Sequence, residues 1–262
     1  MQRTARQRTI HLMSVCHPSA RCVDRFSGLA VADLVLVRSM TRAEKLRKLK
    51  ALARKRQSCH WRGYKGIGDY HSGAYECDFV SPYTKTAGNV GSHIMVILQD
   101  WSSDAALSQP LNRDCVTYGY ATNLYTNRNL ERLLQEHFSA SLRDIYATNL
   151  FPFVKRGQMG TTIPRSDLVR AAQDFALPQI NTVRPKLAIC LGLVTFNALC
   201  EACGHEPVYP IAAAIRAPFS LGPTRVWCQA HTGARGQNNR NSGRKRVPED
   251  WKRMKKDLSR QT

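Results

Sequence analysis

Five apolar residues in succession, Ile94, Met95, Val96, Ile97 and Leu98, run straight into Gln99-Asp100-Trp101-Ser102-Ser103-Asp104. A run that does not alternate, rich in β-branched side chains, predicts a strand buried on both faces. Such strands belong to parallel sheets covered by helices on both sides, and in those sheets the working residues gather past the carboxyl ends. Asp100 stands at that place. Taken alone, a cap for the next helix is its simpler account.

The rest of the chain supplies more strands of this kind, separated by helices. Residues 41–57 predict a basic helix, opened by a capping box of Thr41 and Glu44, with Leu46, Leu49 and Leu52 as its apolar stripe. Residues 58–92 hold Trp61, Tyr64, Tyr70, Tyr75 and Tyr83 among cations and glycines. They read equally as a connection packed over the sheet or as a surface for an unstacked nucleotide. Thr126-Asn127-Arg128-Asn129 opens a helix over 130–138, and residues 144–151 form a second strand that Pro152 stops. A long helix over 166–183 leads to a third strand, 187–191, and Gly192 turns the chain into a helix over 194–203. Residues 224–229 form a fourth strand ending at Ala230-His231, followed by a Gly/Asn/Arg-rich stretch and a last basic helix over 248–258. This alternation predicts an α/β three-layer sandwich around a central, mostly parallel four-stranded sheet. The expected organisation is a core domain over 58–243, a basic helix over 40–57, a basic helix and tail over 244–262, and a peripheral or disordered extension over 1–39.

Lys and Arg number 39 against 19 Asp and Glu, a formal net charge of +20. A surplus of this size predicts a polyanionic partner, with nucleic acid first among them. Nine scattered cysteines suggest no disulfide framework and fit a reducing, cytoplasmic setting. Cys200-Glu201-Ala202-Cys203 lacks a second pair, and Cys59, His60, His71 and Cys77 match no standard finger, so no metal is expected. No Gly-rich phosphate loop follows a buried strand, so no cofactor is expected either. No apolar run reaches membrane-spanning length, and no secretory leader is evident. A nucleic-acid partner, away from membranes, is the expectation.

Three predicted strand ends carry polar residues of three kinds: Asp100, Asn149 and His231. Each alone is unspecific. Gathered at one edge of a parallel sheet they form a candidate site. Their order resembles the uracil-DNA glycosylase superfamily across residues 92–240. The matching pieces are Leu98-Gln99-Asp100, Thr148-Asn149-Leu150, the run from Arg184-Pro185-Lys186 through Cys190-Leu191-Gly192, and His231-Thr232-Gly233-Ala234-Arg235-Gly236.

The resemblance implies a glycosylase that flips a pyrimidine out of DNA and hydrolyses its N-glycosidic bond. Asp100 would orient or deprotonate the attacking water and stabilise the cationic sugar, and His231 would meet the charge developing on the departing base. Asn149 would read the base's polar edge, with Gln99, Trp101 and Ser102 lining the pocket. Among Tyr118, Tyr120 and Tyr125, the resemblance favours Tyr118 as the stacking ring. Arg235 matches the branch that fills the vacated space with arginine, and a plain phosphate contact is its equal alternative. Gly233, Asn239, Arg240, Arg244 and Lys245 complete the expected DNA contacts. No lysine occupies a position suggesting Schiff-base chemistry, so a monofunctional enzyme leaving an abasic site is expected. The family's best-known branch follows its aspartate with Pro-Tyr, and that tyrosine excludes 5-substituted pyrimidines. Here Trp101-Ser102-Ser103 follows, so the base is uracil or a bulky 5-substituted cytosine such as glucosylated hydroxymethylcytosine in phage DNA. Two rivals remain open: a non-catalytic nucleic-acid-binding module on the same fold, and a hydrolase of free nucleotides.

Overall fold

The computed structural model describes residues 40–260, and the extension expected over 1–39 lies outside them. Five strands form one sheet in the order β2-β1-β3-β5-β4: β1 Ile94–Asp100, β2 Tyr146–Phe151, β3 Leu187–Leu191, β4 Phe219–Leu221 and β5 Thr224–Gln229. All neighbours are parallel except β4, which pairs antiparallel with β5. The expected count of four missed β4. It is three residues long and not fully buried, so it carries neither an apolar run nor a clear alternation.

The central strand explains its own sequence. Met95 and Ile97 enter one core cluster, Val96 and Leu98 the other. Because successive side chains point to opposite faces, a strand with a core on each side must be apolar at every position. Each such side chain contributes about 1.5–3 kcal/mol through burial.

The helices are α1 Arg42–Ser58, α2 Asp104–Leu107, α3 Arg113–Tyr118, α4 Tyr125–Phe138, α5 Arg165–Ala171, α6 Leu177–Val183, α7 Leu193–Ala202, α8 Ile211–Ala214, α9 Ala234–Asn241 and α10 Arg246–Ser259. A π-helical turn, Ala172–Ala176, joins α5 to α6, so the long helix expected over 166–183 is continuous but widened. Pro178 has no N–H for the ladder and its ring crowds the preceding turn. The wide turn lies immediately before it, and Lys55 Nζ reaches the freed Asp174 carbonyl at 3.4 Å. Leu49 of α1, Leu168 of α5, Ile180 of α6 and Phe196 of α7 cover one face of the sheet. Leu130, Leu133 and Leu134 of α4, with Val247, Trp251 and Met254 of α10, cover the other. That is the three-layer arrangement expected.

Several boundaries move. The two basic helices are not appendages: each buries apolar residues in one of the cores, so the body runs without a break from α1 to α10. In α1 the capping box forms as expected, but Leu46 faces solvent and the buried side is Leu49, Ala53 and Arg56. α4 starts at Tyr125, five residues earlier than expected, and residues 142–144 form a 3-10 turn ahead of β2. Residues 58–92 pack as a connection. Trp61, Tyr70, Tyr75 and Tyr83 are buried, so they offer no open platform for a nucleotide. The Gly/Asn/Arg-rich stretch after His231 is largely the helix α9, which has no apolar stripe to reveal it.

Candidate active site

The register of the sheet brings the predicted residues together. Leu98 lies beside Asn149 and Asp100 beside Phe151. Asp100 is two residues beyond Leu98, so Asp100 and Asn149 project from the same face. Leu191 pairs with Gln229, and His231 follows two residues later at the same edge.

Asp100 is almost enclosed. Its Oδ1 accepts from Gln99 Nε2 at 3.0 Å, and its Oδ2 lies 3.0 Å from Lys155 Nζ. Side-chain exposure is 8% for Asp100 and 6% for Lys155. Lys155 also donates to the Met159 carbonyl. Its backbone is clamped to the segment after β1: its N–H donates to the Ser102 carbonyl at 3.3 Å, and its carbonyl accepts from Asp104 N–H at 2.8 Å. A buried ion pair adds little net stability, because removing two charges from water offsets most of their attraction. Here it sets the charge balance at this strand edge. Lys155 was missed in the sequence, and the structure places its amine beside Asp100. It follows Phe153-Val154 in an unremarkable loop, 55 positions from its partner (155 against 100), and only the parallel pairing of β1 with β2 joins the two.

His231 has a fixed tautomer. Gly233 N–H donates to its Nδ1 at 3.0 Å, so in the neutral ring Nε2 carries the proton and faces outward as a donor. The ring's charged form is disfavoured: desolvation by the surrounding protein lowers its pKa first, Asp100 opposes that, and Lys155 reinforces it. The residue keeps an exposed surface. α9 braces it. Gln237 Nε2 donates to the His231 carbonyl at 2.9 Å, and a Cβ on Gly236 would fall 2.3 Å from that same oxygen. Only glycine admits so close an approach.

Asn149 is buried, and its orientation is set by Ser81, whose hydroxyl donates to Oδ1 at 2.5 Å. Nδ2 has no partner within the described residues. A buried donor left unpaired costs about 1–3 kcal/mol, so a ligand atom is its natural complement.

One wall is aromatic. Tyr83 stacks on Tyr120 with centroids 5.0 Å apart and an interplanar angle of 20°. Tyr83 donates to Asn127 Oδ1 at 2.8 Å. Gly119, at φ 83°, presses onto the Pro82 carbonyl, where a Cβ would come within 1.8 Å. Trp101 Nε1 donates to the Gly119 carbonyl at 2.8 Å. Tyr120 is held by its stack on Tyr83, and Tyr118, the favoured stacking ring, is exposed. Trp101 also meets Tyr75 edge-on at 5.4 Å, and Ser102 is buried beneath the Lys155 backbone.

The expected DNA contacts divide. Arg235 is exposed in the first turn of α9, and Asn239 is exposed farther along that helix. Arg244 and Lys245 are exposed and, with Arg132 and Glu136 of α4, line a cleft of about 570 Å³. Arg240 is committed elsewhere. It forms a two-pronged pair with Asp250, 2.6 and 2.9 Å, with side-chain exposures of 11% and 4%, and it fastens α9 to α10. Gly233 spends its N–H on His231 rather than on a phosphate. Among the described residues no three His, Cys, Asp or Glu side chains cluster as metal ligands, and no helix is long and apolar enough to cross a membrane. No protein-family model matches the chain, and no curated protein matches it.

Proposed function

We propose that the protein is a DNA glycosylase of the uracil-DNA glycosylase type, releasing a modified pyrimidine from DNA and leaving an abasic site. The observation that carries this reading is the enclosed Asp100–Lys155 pair sharing a strand edge with an outward Nε2–H donor on His231 and an unpaired donor on Asn149. Base release makes the sugar cationic and the base anionic. Asp100 supplies negative charge beside the sugar and orients water, while the neutral His231 donates to a carbonyl oxygen of the departing base. Asn149 Nδ2 offers its hydrogens to an acceptor on the flipped base, and Tyr120, backed by the buried Tyr83, supplies an aromatic ring. The net charge of +20 supports a duplex partner, with Arg235 and Asn239 exposed on α9, and Arg244 and Lys245 exposed after it.

Which base is released turns on Trp101-Ser102-Ser103. Trp101 is tied to Gly119 and Tyr75, Ser102 is buried, and Ser103 caps α2. None of the three presents a free ring as a size filter. This supports a 5-substituted cytosine, such as glucosylated hydroxymethylcytosine in phage DNA, alongside uracil, with repair or phage defence as the corresponding role. The same reading assigns the protein to the cytoplasm as a monomer. The test is incubation with duplexes carrying uracil, a thymine mismatch, hydroxymethylcytosine or its glucosylated form, scored for alkali-labile sites. Asp100→Asn should reduce release by about 10²–10⁴-fold, the usual span for a positioned general base. Tight binding with no abasic product from any duplex would instead identify a non-catalytic binding module.

A further inference from the structure

The abasic product of the proposed reaction is an aldehyde in its ring-opened form, and the site holds an amine. We propose that Lys155 makes the protein an abasic-site lyase as well, cutting the strand after the base has gone; this rests on the glycosylase reading above. The primary amine of Lys155 lies 3.0 Å from the carboxylate that serves the sugar's C1′. Its other contact is a single backbone carbonyl, that of Met159 in the loop 155–163. The pair contains both parts that imine chemistry needs, a nitrogen nucleophile and a carboxylate able to take and return its proton.

The steps balance without any further reagent. Asp100 accepts a proton from the Lys155 ammonium, and the freed Nζ adds to the C1′ aldehyde. The resulting carbinolamine loses its hydroxyl as water, using the proton held by Asp100, and a protonated imine forms. The Asp100 carboxylate, again free, removes a proton from C2′. The C2′–H electrons form a C2′–C3′ double bond as the C3′–O bond breaks, and the phosphate at C3′ leaves with that bond's electron pair. Water then hydrolyses the imine and returns Lys155 as its ammonium, and Asp100 gives the C2′ proton to the departing phosphate or to solvent.

The experiment uses the full chain and a duplex already carrying an abasic site, so the identity of the excised base does not enter. Sodium borohydride reduces an imine to a stable amine, joining protein to DNA. Wild type should give a covalent adduct that peptide mapping assigns to Lys155, together with strand cleavage in the absence of borohydride. Lys155→Arg keeps a cation beside Asp100 but cannot form the imine, so it should lose the adduct and the cleavage of the abasic duplex while its circular dichroism shows the wild-type fold. An adduct mapped only to surface lysines, or no adduct from a wild type that does produce abasic sites, overturns the lyase and leaves the glycosylase reading intact. Absence of base release from every modified duplex, with the adduct at Lys155 still formed, would overturn the glycosylase reading and keep the lyase.

Discussion

The two ends of the same parallel sheet are built to different standards. At the amino end several polar groups find partners within the chain, although His137 Nε2 and Trp251 Nε1, between α4 and α10, are buried without a hydrogen-bond partner. Lys45 Nζ donates to the carbonyls of Val90 and Val183 at 3.1 and 2.7 Å, and Thr224 Oγ1 donates to that of Pro185 at 2.6 Å. Trp227 and Arg225 both reach Asp257. At the carboxyl end Asn149 Nδ2, Gln229 Oε1 and Thr232 Oγ1 are buried without partners, and an ion pair is enclosed where it adds little stability. The first end holds the fold together. The second carries unmet polar groups that a substrate would complete.

The sharpest way to test that contrast is His231→Leu. Removing a donor from developing negative charge should lower kcat by about 10²–10³-fold. Because the residue is exposed, the midpoint of chemical denaturation should stay put, and a collapse of stability would place His231 on the structural side. Lys45→Met is the reverse case. It leaves two carbonyls without their cation and should cost about 1–3 kcal/mol by urea denaturation, with single-turnover base release unchanged. Loss of activity in the stable fraction of that variant would erase the distinction between the ends.

Smaller effects separate the two basic surfaces. Much of the cationic side of α1 is already engaged: Lys50 with Asp78, Lys55 with Asp174, and Arg56 with Glu76. α1 also covers the sheet face opposite α4 and α10, whereas Asp100 and Asn149 project on the α4 side. Arg244→Ala and Lys245→Ala should each flatten the dependence of log K on log salt by about 0.9, the value for one lost phosphate contact, while Arg47→Ala and Lys48→Ala leave the slope alone. Equal slopes for all four would place α1 in the DNA footprint. The smallest effect is in the His231 ring. Its proton resonance should titrate below the ordinary 6.5, because desolvation disfavours the cation. Asp100 acts against that shift, so Asp100→Asn should move the titration lower still, and an upward move would show that the two groups do not face each other.

What local physics governs, the sequence states openly. β3 and β5 fall at their expected residues, because an apolar run bounded by Pro185-Lys186 and Gly192, or by Pro223 and His231, has one compact solution. The capping box of α1 and the leucine stripe of α4 follow equally from neighbours three and four positions apart. From these the α/β class and the convergence of Asp100, Asn149 and His231 can be argued before any coordinates. β4 and α9 were hidden because their own residues give no periodic burial signal: β4 relies on pairing with β5, and α9 on the Arg240–Asp250 pair and on Gln237. The turning of Trp101 onto Gly119 and the stacking of Tyr120 on Tyr83 are likewise contacts between separate segments. Lys155 is the plainest example. A charged residue two positions after a buried Phe153 reads as ordinary loop chemistry, and only when β1 and β2 lie side by side does it meet Asp100. The sequence by itself determined which strands form and which polar residues end them, because burial pattern is a local property. Tertiary structure alone decided which charges meet at that edge, because electrostatic partners are chosen by distance in space and not along the chain.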